Sequence, residues 1–164
     1  MDIVSHALIG GVLSSSAKFS ERSAFTIVLF SILPDLPQVF IYPFLGYIKK
    51  RFLWIPRNSD WKGFRALYPR WYLFLDIPHS IFFALLIILP IVLAFNLPKI
   101  AFIAYLLHIF VDLPTHTEEW AVKPFFPLKY KFKGFTDAWA WPLSKMATSW
   151  VILSLSIIFL KFFR

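Results

Sequence analysis

Five apolar segments decide what this chain can fold into. They cover residues 3–17, 24–45, 77–97, 100–113 and 147–163, and little polar sequence is left over to make a water-facing surface. At 59% hydrophobic residues and a mean hydropathy of +0.67, the chain lies well outside the range of soluble globular domains. A perpendicular crossing of a bilayer takes ~20 apolar residues in helical form, so the first and fourth segments are short for one. The expected fold is an all-α polytopic membrane protein with four to five transmembrane helices. The length of 164 residues suits a single membrane-embedded domain over residues 1–164. The chain opens Met-Asp, has no basic stretch before its first apolar run, and carries His6 inside that run. The run therefore reads as a retained helix and not as a cleaved signal.

The formal net charge of +8 is concentrated. Residues 49–70 and 123–133 hold eleven of the seventeen Lys and Arg, interleaved with Trp and Tyr. Beside apolar helices, such sequence suits lipid headgroups better than nucleic acid, so membrane lipids are the expected partners. With five crossings, the N-terminus, residues 46–76 and residues 114–146 share one side, which carries twelve Lys and Arg against five on the other. The positive-inside rule assigns that side to the cytoplasm and puts the C-terminus outside.

Against this apolar background the ionisable residues stand out. His6, His79, His108 and His116 all lie in or at the ends of apolar segments, and acids accompany them: Asp2, Asp76, Asp112, Glu118 and Glu119, with Asp35 alone in LPDLP. Such groups are costly within a bilayer and usually face a protein interior or a functional cavity. In the five-crossing arrangement His6, Asp35, Asp76, His79, His108, Asp112 and His116 fall at one depth, near the cytoplasmic face. The outer halves of the helices (ALIGGVL, FTIVLF, ILPIVLAF) carry almost no polar residues. A one-sided site is thus favoured over a cation or proton relay through the membrane, the main alternative.

The run HIFVDLPTH, His108 to His116, is the densest group. Residues four apart on a helix lie about 40° apart around the axis and about 6 Å along it, so His108 and Asp112 share a face at metal-ligand spacing. His116 lies about 12 Å from His108 along an ideal helix, too far to reach the same ion, although Pro114 is expected to bend or end the helix between them. Asp112 could then bridge two ions. The chain has no cysteine, so any metal must be held by imidazole and carboxylate. Asp35 reads either as a ligand or as the N-cap of a restarting helix. Asp2 reads as a solvated terminal charge, Glu118 and Glu119 as surface, and Ser80 as a helix-start hydroxyl. No Gly-rich phosphate loop and no GxSxG motif is present.

The order MDIVSHALIG, LPDLP, an HS pair opening an apolar helix, HIFVDLPTH, then FFPL and a Gly followed by Trp resembles the predicted membrane-bound metal-dependent hydrolases. These are bacterial and archaeal inner-membrane proteins first noted as LexA-regulated, and the likeness covers residues 1 to about 141. The order of ligands is also similar to zinc-dependent phospholipase C and the P1-type nucleases, helical enzymes that cleave phosphate esters with clustered zinc ions. Carried over residue by residue, the resemblance makes His6, Asp35, His79, His108, Asp112 and His116 metal ligands. The chain departs from the pattern where many members have an HRG-type triplet, since Phe74, Leu75 and Asp76 stand there. It departs again after His116, where no further His follows and Glu118 or Glu119 is the replacement on offer.

The expected activity is metal-dependent hydrolysis of a phosphoester in a lipid or lipid-linked substrate, with one to three divalent ions. Zinc is favoured because neutral imidazole with carboxylate suits it. The ion would polarise the phosphoryl oxygen and acidify a water. Asp35 or Asp112 would bridge ions, and Asp76 or Glu118, left unligated, would be the general base. Lys49, Lys50, Arg51 and Lys123 are candidates for attracting phosphate, although headgroup anchoring explains them equally well. A structural module in which the metal only staples helices is the remaining alternative.

Overall fold

The computed structural model describes residues 1–48 and 67–163, whose regular structure is all helical, with no strand among them. The basic stretch containing Lys49, Lys50 and Arg51, and the side chain of Glu119, lie outside the described residues. The helices are α1 (Ile3–Ser15), α2 (Glu21–Ile32), α3 (Gln38–Ile48), α4 (Pro69–Asp76), α5 (Ile81–Ala94), α6 (Lys99–Thr115) and α7 (Leu143–Phe162).

Local chemistry sets the helix ends. The Asp2 carboxylate N-caps α1 by accepting from the Ser5 N–H at 2.9 Å, and Ser20 caps α2 through the Ser23 N–H. Asp2 is therefore a structural cap and not the solvated charge expected from its position. Ser80 caps α5, as its place at the start of an apolar run implies. Proline at position 34 turns the end of α2 into a 3₁₀ turn over Leu33–Asp35. Within α5, Ala84–Ile88 is wound as a π-helix directly ahead of Pro90, where the missing N–H and the ring disturb the regular ladder.

α6 runs one residue past Pro114 and stops at Thr115, so the helix ends between His108 and His116, as expected. The segment 134–136, which includes a bend, is laid against the helix end. Gly134 donates to the His116 carbonyl, while Phe135 and Thr136 both donate to that of Pro114. Carbonyls that a helix end leaves without partners are satisfied there.

α6 is the central helix, packed against α2, α1 and α5, and α1 is sandwiched between α2 and α7. The core joins Ile27 and Phe30 of α2, Ala84, Ile88 and Val92 of α5, and Ala101, Ala104, Tyr105 and Ile109 of α6. A second cluster joins Ile41, Tyr72 and Leu75. The remaining apolar surface is turned outward: Phe25, Leu86, Phe95 and Phe162 are each 69–81% exposed, whereas all four histidines, Asp35, Asp76 and Asp112 are buried.

Of the described helices, α7 alone is long and apolar enough to cross a membrane in one piece, and none of its residues is buried. α4 and α5 pass the same test only together, with a bend of 53° between them at the break that holds His79.

Candidate metal centre

Six of the residues singled out by sequence come together in one buried cluster. α1 delivers His6, the turn after α2 delivers Asp35, the break between α4 and α5 delivers His79, and α6 delivers His108 and Asp112, with His116 at its C-cap. Asp35, His79, His108 and Asp112 each offer a ligand atom, and these four atoms lie within 4.8 Å of one another. The four could hold a metal ion.

Hydrogen bonds behind the rings fix which nitrogen faces the cluster. His108 Nδ1 lies 2.7 Å from the Ser31 carbonyl, and His79 Nδ1 lies 2.7 Å from that of Leu75. A carbonyl can only accept, so each Nδ1 carries a proton and each ring turns its Nε2 inward. Those two nitrogens meet at 3.1 Å. Two imidazole nitrogens this close, beside two buried carboxylates, suit a shared cation, and a backbone carbonyl behind each ring is the arrangement that orients imidazole for a metal. The donor set fits a divalent ion of the zinc type.

Asp112 divides the cluster. Its Oδ2 faces His108 at 3.2 Å and His79 at 3.5 Å, and its Oδ1 faces His6 at 3.0 Å and His116 at 3.4 Å. The Met1 ammonium also sits on the Oδ1 side, 2.5 Å from that oxygen and 3.2 Å from His116 Nδ1, so a cation already faces the second oxygen. Asp35 Oδ1 completes the first side, 3.5 Å from His79 and 3.7 Å from His108. Asp35 is not a helix N-cap: it closes the 3₁₀ turn, and its carboxylate accepts from the Gln38 side chain at 2.7 Å. Burial holds the His116 imidazole down at about 4, with Met1 and His79 adding to the effect and Asp112 opposing it, so the ring is neutral at neutral pH.

The other two expected acids separate. Asp76 is buried, is paired with Lys123 at 2.5 Å, and lines a pocket of about 30 Å³ whose wall includes His79, Asp112 and His116. Glu118 is exposed, has a positive φ of 47°, and lines a different pocket with Lys131 and Lys133. It is not brought to the cluster.

Several residues that hold the centre in place are not prominent in the sequence. The Ser31 hydroxyl donates to the His6 carbonyl at 2.9 Å, so one residue holds the backbone of His6 and the imidazole of His108. Gly10 lets Ser31 come this close, since a Cβ there would lie 2.3 Å from the Ser31 hydroxyl oxygen. The Trp150 indole of α7 donates to Asp2 and to the Ser5 hydroxyl, each at 3.1 Å, which ties α7 to the first turn of α1, where His6 lies. Trp139 stacks on Trp120 and sets its edge toward His116. Spacing along the chain gives no sign of these contacts.

No protein-family model matches the chain, and no curated protein and no solved structure matches it.

Proposed function

We propose that this chain is a membrane-bound metal-dependent hydrolase, a phosphoesterase acting on a lipid or lipid-linked phosphoester at the cytoplasmic face of the inner membrane. The observation that carries the reading is the divided coordination of Asp112, with a different pair of imidazoles on each carboxylate oxygen. A carboxylate so placed would suit two ions, one held by Asp35, His79, His108 and Asp112, the other by Asp112, His6 and His116 in the place that the Met1 ammonium takes in this structure. When bound, zinc in such a pair supplies Lewis acidity toward a phosphoryl oxygen and acidifies a water.

The protein's own groups divide the remaining work. His79 and His108 present Nε2 because Leu75 and Ser31 hold their Nδ1 protons. Asp76, in the pocket beside Asp112, is the general base; Glu118, in another pocket, is not in reach of this role. A pocket wall containing His79, Asp112 and His116 leaves the centre open to one side, as catalytic sites are, whereas structural zinc is closed.

The membrane setting draws on the exposed apolar surface of α7, the bent α4–α5 pair, and the outward Phe25, Leu86 and Phe95. These support a membrane setting with one or two crossings by length and composition; the reading of four to five has the shorter helices entering at an angle or partly covered by protein. The excess of Lys and Arg supports a cytoplasmic site. Nucleic acid would reach such a site poorly.

The test is turnover in mixed micelles by metal-loaded protein, screened against phospholipids, polyprenyl phosphates and a generic phosphodiester. Release of phosphate or a phosphorylated headgroup is expected, lost with a chelator and in Asp35→Asn. Equal product from wild type and Asp35→Asn would remove the hydrolase reading.

A further inference from the structure

The pocket over the centre contains a charge pair that ligation does not use. Its deeper wall carries His79, Asp112 and His116; its partly exposed members include Lys123, Trp120 and Gln38. Among the described residues lining it, Lys123 is the only Lys or Arg. The Lys123 Nζ sits on Asp76 Oδ2 at 2.5 Å and 5.8 Å from the centre of the Phe126 ring. Its side chain is 18% exposed, against 7% for that of Asp76.

At about 30 Å³ the pocket holds a water or two and no substrate group. Entry therefore requires a side chain to move. Lys123 is the one suited to move, because its ammonium rides on a flexible four-carbon stem and can trade one carboxylate for another anion. Tyr72, Leu75 and Val122 add an apolar wall beside it.

We propose that Lys123 is the anion-recognition residue of this pocket, exchanging Asp76 for an anionic oxygen of the phosphoester. The inference rests on the hydrolase reading and deepens it, since the exchange also takes the Lys123 ammonium off Asp76 as the incoming phosphoester approaches the centre. No bond is made or broken: the ammonium keeps its protons and changes its partner. The required ligand chemistry is a phosphate bearing at least one unesterified oxygen, whether free or at the head of a lipid.

The pair makes a prediction that a merely structural ion pair does not. Asp76 competes with the ligand for Lys123, so removing either partner should move phosphate binding in opposite directions. The probe is inorganic phosphate, titrated calorimetrically into zinc-loaded, detergent-purified protein, with zinc content measured on every variant. Lys123→Met should weaken binding about tenfold or more, the scale of one charge-assisted hydrogen bond. Lys123→Arg should retain it. Asp76→Asn should tighten it several-fold, and zinc content should stay at the wild-type value throughout.

Competition by phosphatidic acid in the micelles would identify the lipid headgroup as a source of the same chemistry, and its absence a free phosphoester; both agree with Lys123 as the reader. Unchanged phosphate affinity in Lys123→Met, weakening in Asp76→Asn, or loss of zinc in Lys123→Met would overturn the assignment while leaving the metal centre standing. Wild-type protein that holds no zinc would remove the centre and this inference together.

Discussion

Gly134 donates its N–H to the His116 carbonyl at 3.1 Å from a position where a Cβ would lie 2.3 Å from that same oxygen. Backbone cannot yield as a side chain tip can, so Gly134→Ala must push His116 away from Asp112 or detach residues 134–136 from the end of α6. A cost of about 1–3 kcal/mol is expected, on the scale of other overpacked sites, read as a lower midpoint of thermal unfolding in detergent. Gly11→Ala is the contrast, because its nearest neighbour is the flexible tip of Ile157 and the change should be milder.

Trp150→Phe removes the indole N–H that binds Asp2 and Ser5 while keeping most of the ring. The expected loss is about 1 kcal/mol of stability by chemical denaturation, the ordinary net value of an intramolecular hydrogen bond. If α7 only lies against the bundle without orienting the turn before α1, the variant will denature like wild type.

The His and Asp residues of the centre were legible in the sequence because an ionisable group in an apolar segment needs a reason. His6, Asp35, His79, His108, Asp112 and His116 share that property, and the structure brings all six together. The contacts that support them were not legible, since Trp150 with Asp2 and Gly134 with His116 join residues remote in sequence whose types are ordinary. Helix boundaries suffered for a related reason. Apolar content runs continuously over residues 77–97, yet the chain breaks at His79 and again changes winding before Pro90. Pro114 is the contrast: it marks the end of α6 between His108 and His116, and residues 134–136 take up carbonyls at that end.

The exposed face of α7 is expected to contact lipid. Ile152 and Leu155 are each 58% exposed, and replacing both by Lys should cost about 3 kcal/mol per residue if they lie near the bilayer centre. Ile152→Lys with Leu155→Lys should therefore shift the protein out of the carbonate-resistant membrane fraction. Unaltered fractionation would mean that this face does not meet hydrocarbon.

Binding of zinc to the native state should stabilise it, because an unfolded chain offers no preformed site. A chelator is expected to lower the unfolding midpoint by several degrees, with recovery on adding zinc. The shift should be smaller in Asp35→Asn, which keeps the side-chain size but gives up a charged donor to the four-residue group. A midpoint indifferent to chelation would show that these buried groups are satisfied without metal.

The most direct measurement is the metal content of detergent-purified protein, by elemental analysis of wild type beside His108→Ala and Asp112→Ala. His108 contributes to the four-donor group alone, and Asp112 faces both halves of the cluster. Wild type should retain zinc at up to two ions per chain, His108→Ala should keep at most the ion on the His6 and His116 side, and Asp112→Ala should lose both. Metal-free wild-type protein after purification with zinc present, or wild-type metal content in both variants, would contradict the centre.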